Sequence, residues 1–423
     1  MFDRSILLIN ADLSVIILKN STHKLVIIVM RYTQIMPFQT KKTAFKFFLF
    51  ITFLIAYGSV FPFNFQLDSI DLTILKSSLM FWRQPSILGD IMSNICLFVP
   101  FGFLGVRSMR SPFKPISYAL IITLYGLLFA FLLQALQLFL PGRIPSLQDI
   151  IWNYAGCLTG AWLGVVKRFH FFGDRRGKDL WISVPLLLVG CWMACRLIPF
   201  VPSLDWGEIK HGLKPLLLHP DLSFANIFRD FVAWTIFAHL CSSARARPLP
   251  IVYFAIMILC VLGTQVIIVN RVVTLPNVLG ALTAVIIWWG VLRNSQKRTA
   301  ILITLTFGMV VVQGLMPFNL TEGKQALQWI PFHGFLSGNM LWNTIVLFEK
   351  MFLYGSMVWL LEESNINWTW SAIISTAWVS MVEIGQMWFS HHSPEITDPL
   401  IILLMALWIK LYRPEGTSWA YGA

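Results

Sequence analysis

Polar residues in this chain fall in short clusters, and long apolar runs separate them. Twelve runs stand out: 44–62, 90–107, 115–139, 149–167, 180–200, 225–242, 249–269, 277–293, 299–316, 341–361, 369–389 and 399–412. About 20 apolar residues in a helix cross a bilayer, and tilt or local thinning accommodates somewhat shorter segments. The pattern predicts an all-α integral membrane protein with about 12 transmembrane helices. Residues 1–35 break it, because their apolar stretches alternate with polar residues and never reach spanning length. A basic flank and a clean apolar segment follow Met36. Residues 1–43 therefore read as an N-terminal extension, either disordered or upstream of the native start, and the first run reads as a retained anchor.

The runs repeat in fours. Gln137, Arg143 and Asp149 stand six residues apart, and Gln265, Arg271 and Asn277 repeat both steps, as do Gln386, His392 and Asp398. A second marker recurs independently: Phe61-Pro62-Phe63, Ile198-Pro199-Phe200 and Met316-Pro317-Phe318. After each, the next run opens with polar residues one helical turn apart, namely Asp90 and Asn94, Asn226 and Asp230, and Asn339 and Asn343. The period is too long for a short solenoid and suits a four-helix unit. Residues 44–179, 180–298 and 299–423 are expected to form three tandem units, the first chemically complete and the other two degenerate.

Composition agrees. Hydrophobic residues make up 57% of the 423 and charged ones only 12%, about half the share of a soluble domain. The net charge of +12 does not point to nucleic acid, because the basic residues sit in clusters between runs. If the chain before the first run is inside, one set of loops carries Arg107, Arg110 and Lys114, then Lys167 to Lys178, Arg245, Arg247, Arg293, Lys297, Arg298, Lys410 and Arg413. The opposite set is diluted with acids such as Asp68, Asp149, Asp205, Glu208, Glu395 and Asp398. The bias predicts both termini in the cytoplasm and the three polar loops outside. The loop at Glu362 and Glu363, with no base, is the exception. All six cysteines lie in or beside apolar runs and read as packing.

Candidate chemistry gathers at the outer ends. A carboxylate, an amide and a guanidinium from Asp149, Asn153 and Arg143 suit a phosphate, a sugar or acid–base work. Ser146 followed by Asp149 also resembles a capping box, so capping and chemistry stand level for Asp149. Asp90 and Asn94 suggest a shared polar cavity. Glu383 with Gln386, and Gln134 with Gln137, occupy matching places. Arg271, Glu383, His392 and Asp398 are secondary candidates. Gly156, Gly160 and Gly164 form a small-residue ladder for close helix contact, and Pro100 is expected to kink its run. His391 and His392 are adjacent, point in different directions and lack a third ligand, so neither metal nor cofactor is expected.

The segments DIMSNICLFVPFGFLG and QLFLPGRIPSLQDIIWNYAGCLTGAWLG resemble the VanZ-like family over about residues 60–165, at Asp90, Asn94, Pro100, Gly102, Arg143, Asp149, Asn153, Gly156 and Gly160. Gln134 departs from the glutamate often found there. The resemblance implies a protein of the bacterial cytoplasmic membrane tied to envelope glycans or glycopeptide (teicoplanin) tolerance. The expected partners are the bilayer and a lipid-linked glycan or envelope-assembly proteins. The expected function is engagement of a glycan or lipid-linked anionic substrate by Asp90, Asn94, Arg143, Asp149 and Asn153. A transporter of a small solute and an enzyme using Asp149 as general base are the alternatives.

Overall fold

The computed structural model describes residues 3–10, 13–19, 25–31, 38–66, 88–109, 115–141, 143, 145–166, 184–218, 220, 222–245, 248–321, 323–337 and 339–412. Met36 and the loop residues Asp68, Arg110, Lys114, Lys167 to Lys178, Arg247 and Arg413 lie outside them.

Every one of the twelve apolar runs contains a helix. The first four are α1 (Phe38–Val60), α2 (Leu88–Ser108), α3 (Pro115–Gln137) and α4 (Leu147–Val165). After α5 (Val184–Leu197) a short helix, α6 (Trp206–Leu217), precedes α7 (Phe224–Arg245), α8 (Ile251–Ile267) and α9 (Leu275–Ile287), and a π turn at Trp288–Leu292 extends α9. Then come α10 (Arg298–Leu315), the five-residue α11 (His333–Ser337), α12 (Met340–Glu363), α13 (Trp368–Gln386) and α14 (Thr397–Tyr412). Four segments, Ile116–Gln137, Leu275–Leu292, Arg298–Leu315 and Leu341–Glu363, are long and apolar enough to cross a membrane. Others, such as Ala44–Val60 and Ile251–Ile267, are apolar but shorter.

Two features depart from the all-α expectation of twelve helices. Strands β1 (Asp3–Asn10), β2 (Leu13–Lys19) and β3 (Leu25–Arg31) pair as an antiparallel meander, with Ile6 opposite Ile16 and Ile16 opposite Ile28. The apolar stretches of the extension, too short to span, are rich in Ile, Val and Leu and alternate with polar breaks, which is a strand pattern. The helices α6 and α11 sit in loops where none was expected. Asp205 starts α6 by accepting Gly207 N–H at 3.1 Å, which satisfies one of the four unpaired N–H groups of a helix start.

Glycine sets the closest packing. A Cβ on Gly160 would lie 2.0 Å from Val99 O, and one on Gly156 2.4 Å from Ile95 O, so α4 lies backbone to backbone on α2. Gly102 completes the contact from α2, where a Cβ would meet Cys157 O at 2.2 Å. Pro100 lies inside α2. Two apolar clusters result: one joins α1 to α4 around Phe98, Phe101 and Cys157, and the other runs from α5 to α14 around Trp192, Trp234, Trp288 and Trp359.

The loop at Glu362 and Glu363 acquires its counter-charge from elsewhere in the chain. His239 Nε2, at the end of α7, lies 2.6 Å from Glu363 Oε2, and Arg298 at the start of α10 is within electrostatic reach. Three helix ends thus meet at one face, opposite the polar corners described next.

Candidate functional site

The same corner closes α1, α5 and α10. Phe63, Phe200 and Phe318 adopt left-handed backbone (φ 66, 58 and 62°), and each X-Pro bond before them is cis. Bulky residues are rare in this region, and they persist where the surroundings fix them. Here the phenylalanine N–H donates back into the last helical turn each time: to Val60 O at 2.9 Å, Leu197 O at 2.7 Å and Leu315 O at 2.8 Å.

Side chains from the loop after the third helix reach back to the first two corners. Arg143 Nε donates to Phe61 O at 3.1 Å, and Arg271 Nε donates to Ile198 O at 2.7 Å. Gln137 Nε2 donates to Ser59 O at 3.0 Å, and Gln265 Nε2 to Arg196 O at 3.3 Å. Both pairs of acceptors occupy the same positions, one and three residues before the corner proline. Arg143 thus works as a strut between the loop and the corner backbone.

Beside the first corner, Asp149 joins two helices. Its Oδ1 accepts from Asn94 Nδ2 at 2.8 Å and its Oδ2 from Gln134 Nε2 at 3.4 Å. Gln134 Oε1 also takes Ser146 N–H at 2.9 Å, so Asp149 does not reach back to that N–H as a capping box would require. Ser146 still caps α4 with its hydroxyl, which accepts from Gln148 N. One turn on, Asn153 is buried, with Oδ1 lacking a hydrogen-bond partner. Asp90 falls in the first turn of α2, and its side chain lies outside the described residues. The structure thus brings Asn94 and Asp149 together, while Arg143 turns to the backbone.

The second corner carries the pair with its members exchanged. Asp230 stands on α7 and Asn277 on α9, and Asn277 Nδ2 donates to Asp230 Oδ2 at 2.7 Å. Asn277 Oδ1 accepts Thr274 N–H at 2.9 Å, so here the capping box is real. Arg196 fills the remaining space. Its Nη2 forms an ion pair with the fully buried Asp230, and Arg229 adds a contact at 3.7 Å.

The third corner opens into a cavity of about 200 Å³ between α11, α12, α13 and the start of α14. Asp398 accepts from Lys350 Nζ at 2.5 Å and from Tyr354 Oη at 2.6 Å. Glu383 Oε2 accepts Glu395 N–H at 2.8 Å, as Gln134 Oε1 does with Ser146 at the first corner. Glu395 is held by Gly334 N–H at 3.1 Å and the Thr397 hydroxyl at 2.8 Å. His392 does not act as Arg143 and Arg271 do, and its Nε2 is buried without a hydrogen-bond partner among the described residues.

Arg196, Lys350, Tyr354 and Glu395 escaped the sequence reading, although two left a signal. Lys350 is a charge inside an apolar run, which marks function by default. Arg196 stands three residues before Pro199, where Ser59 and Gly314 stand before the other corner prolines.

The apolar helices and these repeated polar corners define a membrane-associated helical protein. Residues 18–168 match the family model VanZ/LLP1, so this stretch is a VanZ-like domain. No curated protein and no solved structure matches the chain.

Proposed function

We propose that the chain is a multi-pass protein of the bacterial cytoplasmic membrane, made of three four-helix units, whose first polar corner engages a lipid-linked glycan at the outer face. The observation that carries this reading is the bond from Asn94 to Asp149, with Gln134 on the second carboxylate oxygen. Carboxylates and amides presented together suit sugar hydroxyls, which both donate and accept. The exchange of acid and amide between the first and second corners supports descent from one repeated unit, because the bond survives while its members trade places.

Charge supports the orientation. Helices that carry corner residues at one end carry bases at the other: Asn94 and Arg107 on α2, Asp230 and Arg245 on α7, Asp398 and Lys410 on α14. Bases concentrate on the cytoplasmic side, which puts the corners outside and both termini inside.

The test uses the purified full chain in nanodiscs with a polyprenyl-diphosphate-linked disaccharide as probe. Asp149→Asn keeps the shape of the clasp but removes its charge. Loss of a hydrogen bond to a charged group is expected to weaken binding about tenfold or more, with the thermal midpoint nearly unchanged. Unaltered binding in both Asp149→Asn and Arg143→Ala would refute the reading. Thiols placed at 143, 271 and 392 should all react with an impermeant reagent in intact cells, and protection of any one overturns the orientation.

A further inference from the structure

The third corner differs from the other two in what it leaves unused. Gln137 and Gln265 donate to corner carbonyls, whereas the Gln386 side chain has no hydrogen bond among the described residues. The Ser393 hydroxyl likewise has none, and Asn343 uses only its Nδ2, on the carbonyls of Phe335 and Gly334. All three side chains line the cavity. Neutral groups with open hydrogen-bonding capacity in a concave site are what a polar ligand needs.

Charge then selects the ligand. Three carboxyl groups line the cavity, Glu383, Glu395 and Asp398, against one base, Lys350. Lys350 is committed to Asp398. Among the described residues Glu395 is held by neutral donors, the Gly334 N–H and the Thr397 hydroxyl, and no cation pairs with it. An anion entering here meets carboxylates with no spare counter-charge, and a cation is attracted.

We propose that the third-corner cavity binds a primary ammonium group on a hydroxylated carrier, with Glu395 receiving the ammonium and Glu383, Asn343, Gln386 and Ser393 the hydroxyls. The proposal rests on the outward-facing reading of the corners and is independent of the glycan reading of the first one. The cavity, at about 200 Å³, is below the usual range for drug-sized ligands and fits one headgroup or one sugar. The carrier is either an amine-bearing lipid headgroup or a free amino sugar.

The experiment titrates the full chain, in phosphatidylglycerol nanodiscs, with glucosamine and with N-acetylglucosamine, which has the same ring without the charge. Glucosamine should bind at least about tenfold more tightly. Glu395→Gln should abolish most of that preference. Gln386→Ala, which removes a side chain without hydrogen bonds among the described residues and leaves folding intact, should weaken glucosamine several-fold, while Gly263→Ala, at a position with nothing within 4 Å of an added Cβ, leaves it unchanged. Equal affinity for the two sugars, no saturable glucosamine binding, or indifference to both third-corner variants overturns the proposal. Added phosphatidylethanolamine identifies the source: competition marks a lipid headgroup, and no competition marks a free solute. Impermeant labelling of His392→Cys in intact cells separates failure of the site from failure of the outward orientation.

Discussion

Asp230 is fully enclosed, and its charge is tolerable only because Arg196, Arg229 and Asn277 surround it. Removing one member of a buried ion pair leaves the other uncompensated, at a cost of about 3–5 kcal/mol, whereas replacing both with apolar groups is often neutral or stabilising. Arg196→Met should therefore lower the thermal midpoint in detergent sharply, and Arg196→Met with Asp230→Leu should recover most of the loss. A double variant no better than the single one would assign Arg196 a role outside the pair. This scale is also where the sequence was least legible. The steps of six residues marked Gln137, Arg143 and Asp149 and their copies, and Asn94 was found through its helical spacing from Asp90. Spacing along the chain could not reveal that Arg143 points to a backbone carbonyl or that Gln134 takes the Ser146 N–H. Those partners are fixed by the corner, whose geometry emerges only when α1 and α3 meet.

Among the elements, the packing of α2 and α4 has the clearest origin. Helix association in lipid lacks the hydrophobic drive available in water, so close van der Waals contact carries it, and small residues permit the approach. Gly156, Gly160 and Gly164 were readable as such a ladder from their spacing alone. The structure adds the partner helix and the tightness: a methyl on Gly160 would overlap the Val99 carbonyl, which is backbone and cannot swing away. Gly160→Ala should cost about 1–3 kcal/mol or more through forced separation of the helices. Gly263→Ala in α8, where nothing lies within 4 Å of the added Cβ, should instead gain up to about 1 kcal/mol from helix propensity. Thermal unfolding of the two variants in one detergent checks both signs, and a neutral Gly160→Ala would mean that the helices can part without loss. The strands before Met36 show the opposite case. Their alternation is visible along the chain, but a short apolar stretch between polar breaks does not by itself distinguish a strand from a loop.

For the molecule as a whole, the division of the apolar core matters more than the count of helices. One cluster holds α1 to α4, and a second runs continuously from α5 to α14. The period of four in the sequence suggested three equivalent bodies and gave no sign of this fusion, because the residues that join the last two are ordinary core residues. Leu188 on α5 is fully buried, and its side chain lies within 2.5 Å of where a Cβ on Gly355 of α12 would sit. Leu188→Ala should cost about 2–5 kcal/mol, and the cluster determines where that loss is felt. Buried cysteines report it: Cys191, Cys195 and Cys241 belong to the large cluster and Cys157 to the small one. With rising denaturant, Leu188→Ala should expose the first three to a thiol reagent earlier than in the parent protein, all together, while Cys157 keeps its parent midpoint. A joint shift of all four thiols would mean that the clusters unfold as one body through the contacts that link the first corner to the third, where the Tyr57 hydroxyl donates to Pro331 O at 2.7 Å and the Phe61 and His333 rings meet at 5.5 Å. That hydrogen bond and edge-to-face ring pair, each worth about 0.5–1.5 kcal/mol, and a small contact of α2 with α12 are slight beside the packing within each cluster, so separate transitions are the expected result.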